Sequence, residues 1–145
     1  MQGTNHGRRA MLAALSVWVL ACALPAAAQD PQISEARRAA LEWLTVVDAD
    51  NSTASYAAAA SRFRTAMTQE QWAGAMGAAR TQFGKTQRRT FAGAQKADDM
   101  PNKPPGDFVM IIFRSGFEKR DTVMETLTME KEPDGKWRVI GYSLR

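Results

Sequence analysis

The sequence predicts an α+β fold in which three N-terminal helices pack on one face of a curved, four-stranded antiparallel sheet. From about residue 30, apolar residues recur at the spacing expected of helices. After Gly84 the pattern changes to the alternation that is typical of strands, with turn-forming residues between the segments. A run of helices followed by a run of strands indicates an α+β domain whose helices cover one face of the sheet.

The first predicted helix begins at Asp30-Pro31, because an acid at the cap and a proline in the first turn favour helix initiation. The polar run 48–52 ends it. A short, alanine-rich second helix is predicted from about Thr53 to Arg64. The apolar stripe of the first helix, which should face the core, consists of Ala36, Ala40, Trp43, Leu44 and Val47.

The third predicted helix begins at a capping box, in which Thr68 is followed three residues later by Gln71. Gly84 ends it, as a glycine at a helix C-terminus commonly does. The residues that share its apolar face are Trp72, Met76, Ala79 and Phe83. We expect Trp43, Trp72 and Trp137 to anchor the core.

Four strands are predicted in the second half of the chain. Residues 98–106 form a loop between the first two, residues 115–120 form a turn, and Pro133-Asp134-Gly135 forms a tight hairpin. The second strand is apolar on both faces, which suggests a central and well-covered position. The predicted bounds are 88–95, 108–114, 122–131 and 136–144.

Residues 1–28 have the organisation of an export signal. Arg8 and Arg9 form a positive N-terminal region, residues 10–24 are apolar, and Ala26 and Ala28 precede a cleavage site before Gln29. We therefore expect a periplasmic or secreted protein whose single α+β domain covers residues 29–145. Loss of the two arginines lowers the net charge from +4 to +2.

Three alternatives for this segment stay open. Cys22 follows Val19-Leu20-Ala21, which partly resembles a lipoprotein cleavage box, so it could become a lipidated N-terminus. The run beginning at Arg8 loosely resembles a twin-arginine export signal. The apolar stretch is also long enough to serve as an uncleaved membrane anchor.

The residue inventory restricts the chemistry of the mature domain. The only cysteine, Cys22, and the only histidine, His6, both lie within residues 1–28. Residues 29–145 therefore have no disulfide, cysteine nucleophile, Ser-His dyad, or histidine or cysteine metal site. We expect no cofactor and no metal, and the modest net charge does not imply a nucleic-acid partner.

Several short motifs, in order and with their spacing, together resemble one bacterial family. The most specific is the ending, Asp134-Gly135-Lys136-Trp137-Arg138-Val139 with Gly141-Tyr142. The others are Trp43-Leu44, Val47-Asp48, Tyr56, Glu70-Gln71-Trp72, Arg80, Phe83-Gly84, Arg88-Arg89, Phe117 and Glu125-Thr126. The chain resembles the domain-of-unknown-function family numbered four thousand and nineteen.

This resemblance covers nearly the whole mature chain. It implies an exported protein with a small α+β domain, and it brings no activity with it. By analogy of element order alone, the helices and sheet would form a cone like those of NTF2 or cystatin-type folds.

One carboxylate falls among apolar residues in the third predicted strand. Val123, Leu127 and Met129 alternate onto one face, and Glu125 lies on the same face. A buried charge is costly unless it is paired, so we expect Glu125 to pair with an arginine. The candidate partners are Arg80, Arg88 and Arg89. The pair would be either a structural link or the polar end of a ligand pocket, and Glu125 would be solvated if the face is assigned wrongly.

Two further residues are weak catalytic candidates. A cavity enzyme of isomerase or dehydratase type can use an aspartate base and a tyrosine donor, and Asp48 and Tyr56 have the required side chains. Tyr142 would add a hydroxyl from the last strand. Asp48 could equally cap a helix or bind an arginine.

The favoured function is a non-enzymatic binding or interaction module, because folding alone accounts for nearly every notable residue. The alternative is a cavity enzyme using Asp48, Tyr56 and Glu125. A third hypothesis is a homo-oligomer that pairs through the sheet face, with Ile111 and Phe113 or their neighbours exposed. The partner is not identified, and membrane contact is expected only through the signal or a lipid at Cys22.

Overall fold

The structure, a computed structural model, describes residues 30–97 and 106–145. The predicted export signal, its Ala28–Gln29 cleavage site and the lipidation candidate Cys22 lie outside the described residues. So does most of the predicted loop 98–106.

The described residues form an α+β fold with an open, four-stranded antiparallel sheet in the order β1-β2-β3-β4. This confirms the predicted α+β class and the four antiparallel strands. The helices are α1 (Pro31–Asp48), α2 (Ser52–Ala58), α3 (Ser61–Ala66) and α4 (Gln69–Phe83). The strands are β1 (Thr86–Ala97), β2 (Phe108–Phe117), β3 (Arg120–Lys131) and β4 (Trp137–Leu144).

The second predicted helix, Thr53 to Arg64, is wrong as a single element. Ala59 and Ala60 have extended backbones and separate α2 from α3, so the described residues contain four helices. The amide of Ala60 donates a hydrogen bond of 2.9 Å to the carbonyl of Val139 at the edge of β4. This contact with the sheet outweighs the helix propensity of the alanines.

The helix ends follow local chemistry. The Asp30 side chain accepts a hydrogen bond of 2.9 Å from the Gln32 amide, and Thr68 and Gln71 form both bonds of a capping box. Gly84 follows α4 with φ of +76°, a backbone conformation that favours glycine.

The predicted turn 115–120 is too long. β2 continues to Phe117 and β3 begins at Arg120, so only Glu118 and Lys119 connect the two strands. Both residues are held by the end of α4, because the Lys119 amide donates to the Phe83 carbonyl and the Glu118 side chain accepts from the Lys85 amide. Ser115 therefore lies within a strand.

The helices and one face of the sheet, which we call the inner face, enclose the main core. Trp43, Trp72 and Trp137 are buried there. The indoles of the first two donate to Ser55, at 2.8 Å to its carbonyl and 2.9 Å to its hydroxyl. The sheet contributes Val109, Ile111, Phe113, Leu127, Met129 and Val139 to this core.

Of the two alternatives for the sheet face, exposure of Ile111 and Phe113 is wrong, and exposure of a neighbour, Met110, is found. Ile111 and Phe113 are buried on the inner face, since alternation along β2 places them with Val109 under the helices. Their neighbours Met110 and Ile112 lie on the opposite, outer face. Within the residues that the structure describes, no helix is both long and apolar enough to cross a membrane.

Candidate functional site

The polar centre of the inner face is an ion pair between Glu125 and Arg89. Glu125 lies on β3 and is fully buried, and Arg89 lies on β1, with β2 between them. Arg89 Nε is 2.5 Å from Glu125 Oε2, and Arg89 Nη2 is 3.1 Å from Glu125 Oε1. The contact is bidentate, the geometry in which arginine binds a carboxylate most strongly.

Two hydroxyl groups complete the environment of Glu125. Ser115 Oγ donates to Oε2 at 2.6 Å, and Tyr142 Oη donates to Oε1 at 2.8 Å. Each carboxylate oxygen of Glu125 therefore accepts two hydrogen bonds from protein donors. A buried carboxylate needs this saturation to offset its loss of hydration.

Asp48, the last residue of α1, binds the other side of the same guanidinium. Arg89 Nη1 lies 2.9 Å from Oδ2, Nη2 lies 3.1 Å from Oδ1, and Thr86 Oγ1 donates to Oδ1 at 2.9 Å. Burial acts to lower the pKa of Arg89, but its bonds to Asp48 and Glu125 outweigh burial and raise the pKa above the usual range. Arg89 is thus a permanent cation that ties α1, β1 and β3 together.

Tyr142 stands between this polar cluster and the aromatic core. Its ring packs edge-on against Trp43, with ring centroids 5.5 Å apart, and against Trp72 at 6.1 Å. Burial, together with the charge of Glu125, raises the pKa of the Tyr142 hydroxyl well above its ordinary value. The hydroxyl therefore acts as a hydrogen-bond donor and not as a base.

A cavity of about 210 Å³ lies beside the cluster, between α4, the end of α1 and the end of β4. Asp48, Thr86 and Tyr142 belong to its wall, so the cavity borders the polar cluster directly. Glu125 and Arg89 do not line it. Its apolar lining comes from Val47, Met67, Trp72, Ala75, Met76, Ala79, Phe117 and Leu144.

Arg80, one of the three arginines considered for Glu125, serves the end of α1 instead. Its Nη2 donates to the Asp48 carbonyl at 3.1 Å, and its Nε lies 3.8 Å from Asp50 Oδ1. A cation at a helix C-terminus offsets the partial negative charge of the terminal carbonyls. Arg80 also lines the mouth of the cavity.

Arg88 lies on the outer face. Successive residues of a strand point to opposite faces, so Arg88 and its neighbour Arg89 cannot both point inwards. The Arg88 side chain crosses Gly116 and donates to the Asp121 carbonyl. A Cβ on Gly116 would lie 2.6 Å from Arg88 Cζ, so this crossing needs a glycine.

The structure does not bring Asp48, Tyr56 and Glu125 into one cavity. The single proton of the Tyr56 hydroxyl is shared between the carbonyls of Met67 and Arg64, at 2.8 and 3.1 Å, and this contact holds the loop after α3. Glu125 is sealed behind Tyr142. Of these three residues, only Asp48 lines the cavity, and both of its oxygens already accept hydrogen bonds.

Ser115 and Thr86 were not singled out by the sequence. Their roles depend on strand register, since Ser115 was expected in a turn and Thr86 before the first strand. Within residues 30–97 and 106–145, no three Asp, Glu, His or Cys side chains converge on a position that could hold a metal ion.

The family model described as "Protein of unknown function (DUF4019)" matches residues 39–142, most of the chain. The protein therefore belongs to this family of unknown function, in agreement with the resemblance noted in its motifs. Neither a curated protein nor a solved structure matches the chain.

Proposed function

We propose that this protein is a non-enzymatic binding module that acts after export and takes a small, mainly apolar ligand into the cavity between α4 and β4. The observation that carries the proposal is the lining of this cavity. Eight apolar residues form most of its wall. Three residues of its polar border, Asp48, Thr86 and Tyr142, are hydrogen-bonded to other protein groups, and Asp50, Arg80 and Ser143 also lie at this border. Binding energy would therefore come from apolar contact.

The size of the cavity limits the ligand. A dry cavity of about 150 Å³ can hold benzene. By proportion, the cavity of about 210 Å³ would accept a group of roughly eight non-hydrogen atoms. A short alkyl chain or a substituted benzene ring fits this description. The cavity would correspond to the concave interior of the NTF2- or cystatin-like cone that we propose for the fold.

The mutual pairing of the polar groups favours binding over catalysis. A general base must have a free lone pair within reach of the substrate, and a general acid must have a transferable proton. Asp48 accepts three hydrogen bonds, two from Arg89 and one from Thr86, so one acceptor position on Oδ2 is left, and the Tyr142 hydroxyl donates its proton to Glu125. Both residues hold the fold in this arrangement, which supports the module rather than the isomerase or dehydratase alternative.

The binding proposal is tested by filling the cavity. Toluene or hexanol should raise the melting temperature of the protein in a concentration-dependent way, because a ligand that binds only the native state stabilises it. Ala75→Leu places a larger side chain at the cavity wall and should abolish this rise. Ala78→Leu is the matched control, since Ala78 is exposed on the same helix and does not line the cavity.

Two results would contradict the proposal. One is the absence of any change in melting temperature with either probe. The other is an equal response in the Ala75→Leu and Ala78→Leu variants, which would place binding elsewhere.

We also propose that residues 1–28 direct export and that cleavage after Ala28 releases the domain. The support is the order of the positive, apolar and small-residue regions in the sequence. Intact mass of the protein recovered from the exported fraction tests this. A chain that begins at Gln29 is expected, a lipid-modified Cys22 would replace the cleavage site, and retention of Met1 would overturn the proposal.

A further inference from the structure

The outer face of the sheet is apolar at its centre, and none of the described helices covers it there. The register places Met110, Ile112 and Met124 on this face, and Met110 and Met124 are 37% and 39% exposed. The described helices lie on the inner face, except that Arg62 of α3 reaches over Phe108 at one end. An antiparallel sheet with one solvated face normally carries polar residues there, so this apolar centre needs a separate explanation.

The same face is positively charged. Arg114 on β2 lies opposite Met124 on β3, and Arg145 lies beyond Met124 on the other side, joined to it by two backbone hydrogen bonds. Arg88 adds a third cation. No ion pair within 4 Å is formed by these arginines among the described residues.

Acids are nearly absent from the outward positions of the described strands. The described strands contain three acids. Glu125 points inwards, Glu130 is buried with its Oε1 3.0 Å from Arg62 Nε, and Asp121 is exposed at the end of the sheet where Arg88 donates to its carbonyl. The remaining outward residues near Met124 are polar and uncharged, among them Thr90, Thr122, Thr126, Thr128 and Ser143. The open part of the outer face therefore combines flexible apolar side chains with hydroxyl groups and with arginines that form no ion pair among residues 30–97 and 106–145.

We propose that this open part of the outer face docks on an anionic lipid surface. The arginines and threonines would bind headgroup phosphates, and the two methionines would enter the boundary between headgroups and acyl chains. This contact would be additional to any made by residues 1–28, and it is independent of the cavity.

Two other occupants fit the face less well. A second copy of the chain packed face to face would bring its arginines against these arginines, and like charges oppose such a contact. A protein partner is typically held by aromatic anchors seated in pockets. The cavity and the shallow depression along α1 both lie away from the outer face. Neither of these two depressions opens on the outer face, and a wide exposed surface favours a lipid bilayer.

The test is co-sedimentation of the exported protein, with its N-terminus determined by mass, with vesicles of phosphatidylglycerol and phosphatidylcholine. Binding is expected at an ionic strength of about 0.01 M and should be largely lost at about 1 M, where charges are screened within about 3 Å. Vesicles of phosphatidylcholine alone should bind much less.

Variants locate the contact. Arg114→Ala should weaken binding about fivefold, the effect of one arginine near an anionic surface. Arg38→Ala removes the same charge from α1, where the side chain is 72% exposed, and should leave binding unchanged. Met124→Thr keeps a residue suited to a strand and should also weaken binding. Circular dichroism and melting temperature establish that each variant is folded.

Polyglutamate serves as a competing probe. Binding to polyglutamate that depends on Arg114, without binding to the anionic vesicles, would identify an acidic polypeptide as the partner and overturn the lipid proposal. Equal losses of vesicle binding in Arg114→Ala and Arg38→Ala would also overturn the lipid proposal, because binding would then depend only on the net charge of the protein.

Discussion

Charged side chains are buried and paired on the inner face of the sheet, but mostly exposed on the outer face. On the inner face, Glu125, Arg89 and Asp48 are joined by hydrogen bonds, and Tyr142 separates Glu125 from the cavity. On the outer face, Arg114 lies beside an exposed methionine and has no acidic partner in the part of the chain that the structure describes. A charge removed from water must be paired, whereas an exposed charge need not be. The inner charges therefore hold the fold, and the outer charges remain available for binding.

The largest expected difference in unfolding free energy is between alanine variants of two adjacent arginines, Arg89 and Arg88. Arg89→Ala leaves Glu125 buried without its cation, which should lower the free energy of unfolding by about 3–5 kcal/mol. Arg88→Ala, one residue away on the outer face, should cost about 0.5 kcal/mol. Urea denaturation of both variants measures the difference. Losses of similar size would show that the two faces do not differ in this way.

The next effect concerns two tyrosines. Tyr142→Phe removes a hydrogen bond to a buried carboxylate and should cost about 1.5–3 kcal/mol, because bonds to charged groups are the stronger class. Tyr56→Phe removes bonds to two backbone carbonyls and should cost about 1 kcal/mol. Equal costs in urea denaturation would argue that Glu125 gains little from the Tyr142 hydroxyl.

The position of Tyr142 also predicts a pH dependence. Its pKa is raised in the folded protein by burial and by the charge of Glu125, while an unfolded tyrosine titrates near pH 10. Below pH about 10 both states keep the proton, so the contribution to stability is complete. Above that value the unfolded chain loses its proton first, and stability should fall by up to about 1.4 kcal/mol per pH unit.

The measurement is the difference in unfolding free energy between the wild type and Tyr142→Phe as the pH is raised. This difference should be constant at neutral pH and should shrink under alkaline conditions. A difference that stays constant through the alkaline range would place the Tyr142 hydroxyl in water.

The smallest expected effect on stability lies on the outer face. Arg114→Ala should change the free energy of unfolding by no more than about 0.5 kcal/mol, since the side chain is exposed. The same variant is expected to lose lipid affinity. Arg114 would then contribute to binding and not to folding stability. A loss of several kcal/mol would instead assign Arg114 to the fold.

The fold class and the face of Glu125 could be predicted because both depend on local periodicity. Val123, Leu127 and Met129 are two or four residues from Glu125 and mark its face without any knowledge of the partner strands. The caps at Asp30 and Thr68 are likewise local.

The partner of Glu125 could not be selected from the sequence. Choosing among Arg80, Arg88 and Arg89 requires the register of β1 against β2 and the crossing position of α1, which depend on contacts distant in the chain. The break between α2 and α3 was missed for the same reason, because its cause is a hydrogen bond from Ala60 to a strand that begins 77 residues later. The cavity arises from α1, α4 and β4 together.

The break between α2 and α3 also limits the addition of further strands to the sheet. A strand at the margin of a sheet offers unpaired amides and carbonyls to neighbouring molecules. At β4 the Ala60 amide occupies the carbonyl of Val139, so an added strand would have to displace the α2–α3 junction. Among the described residues, β1 pairs only with β2. Addition of a strand at β1 is free of this obstacle, and pairing of two native sheets through β1 alone would stop at two copies.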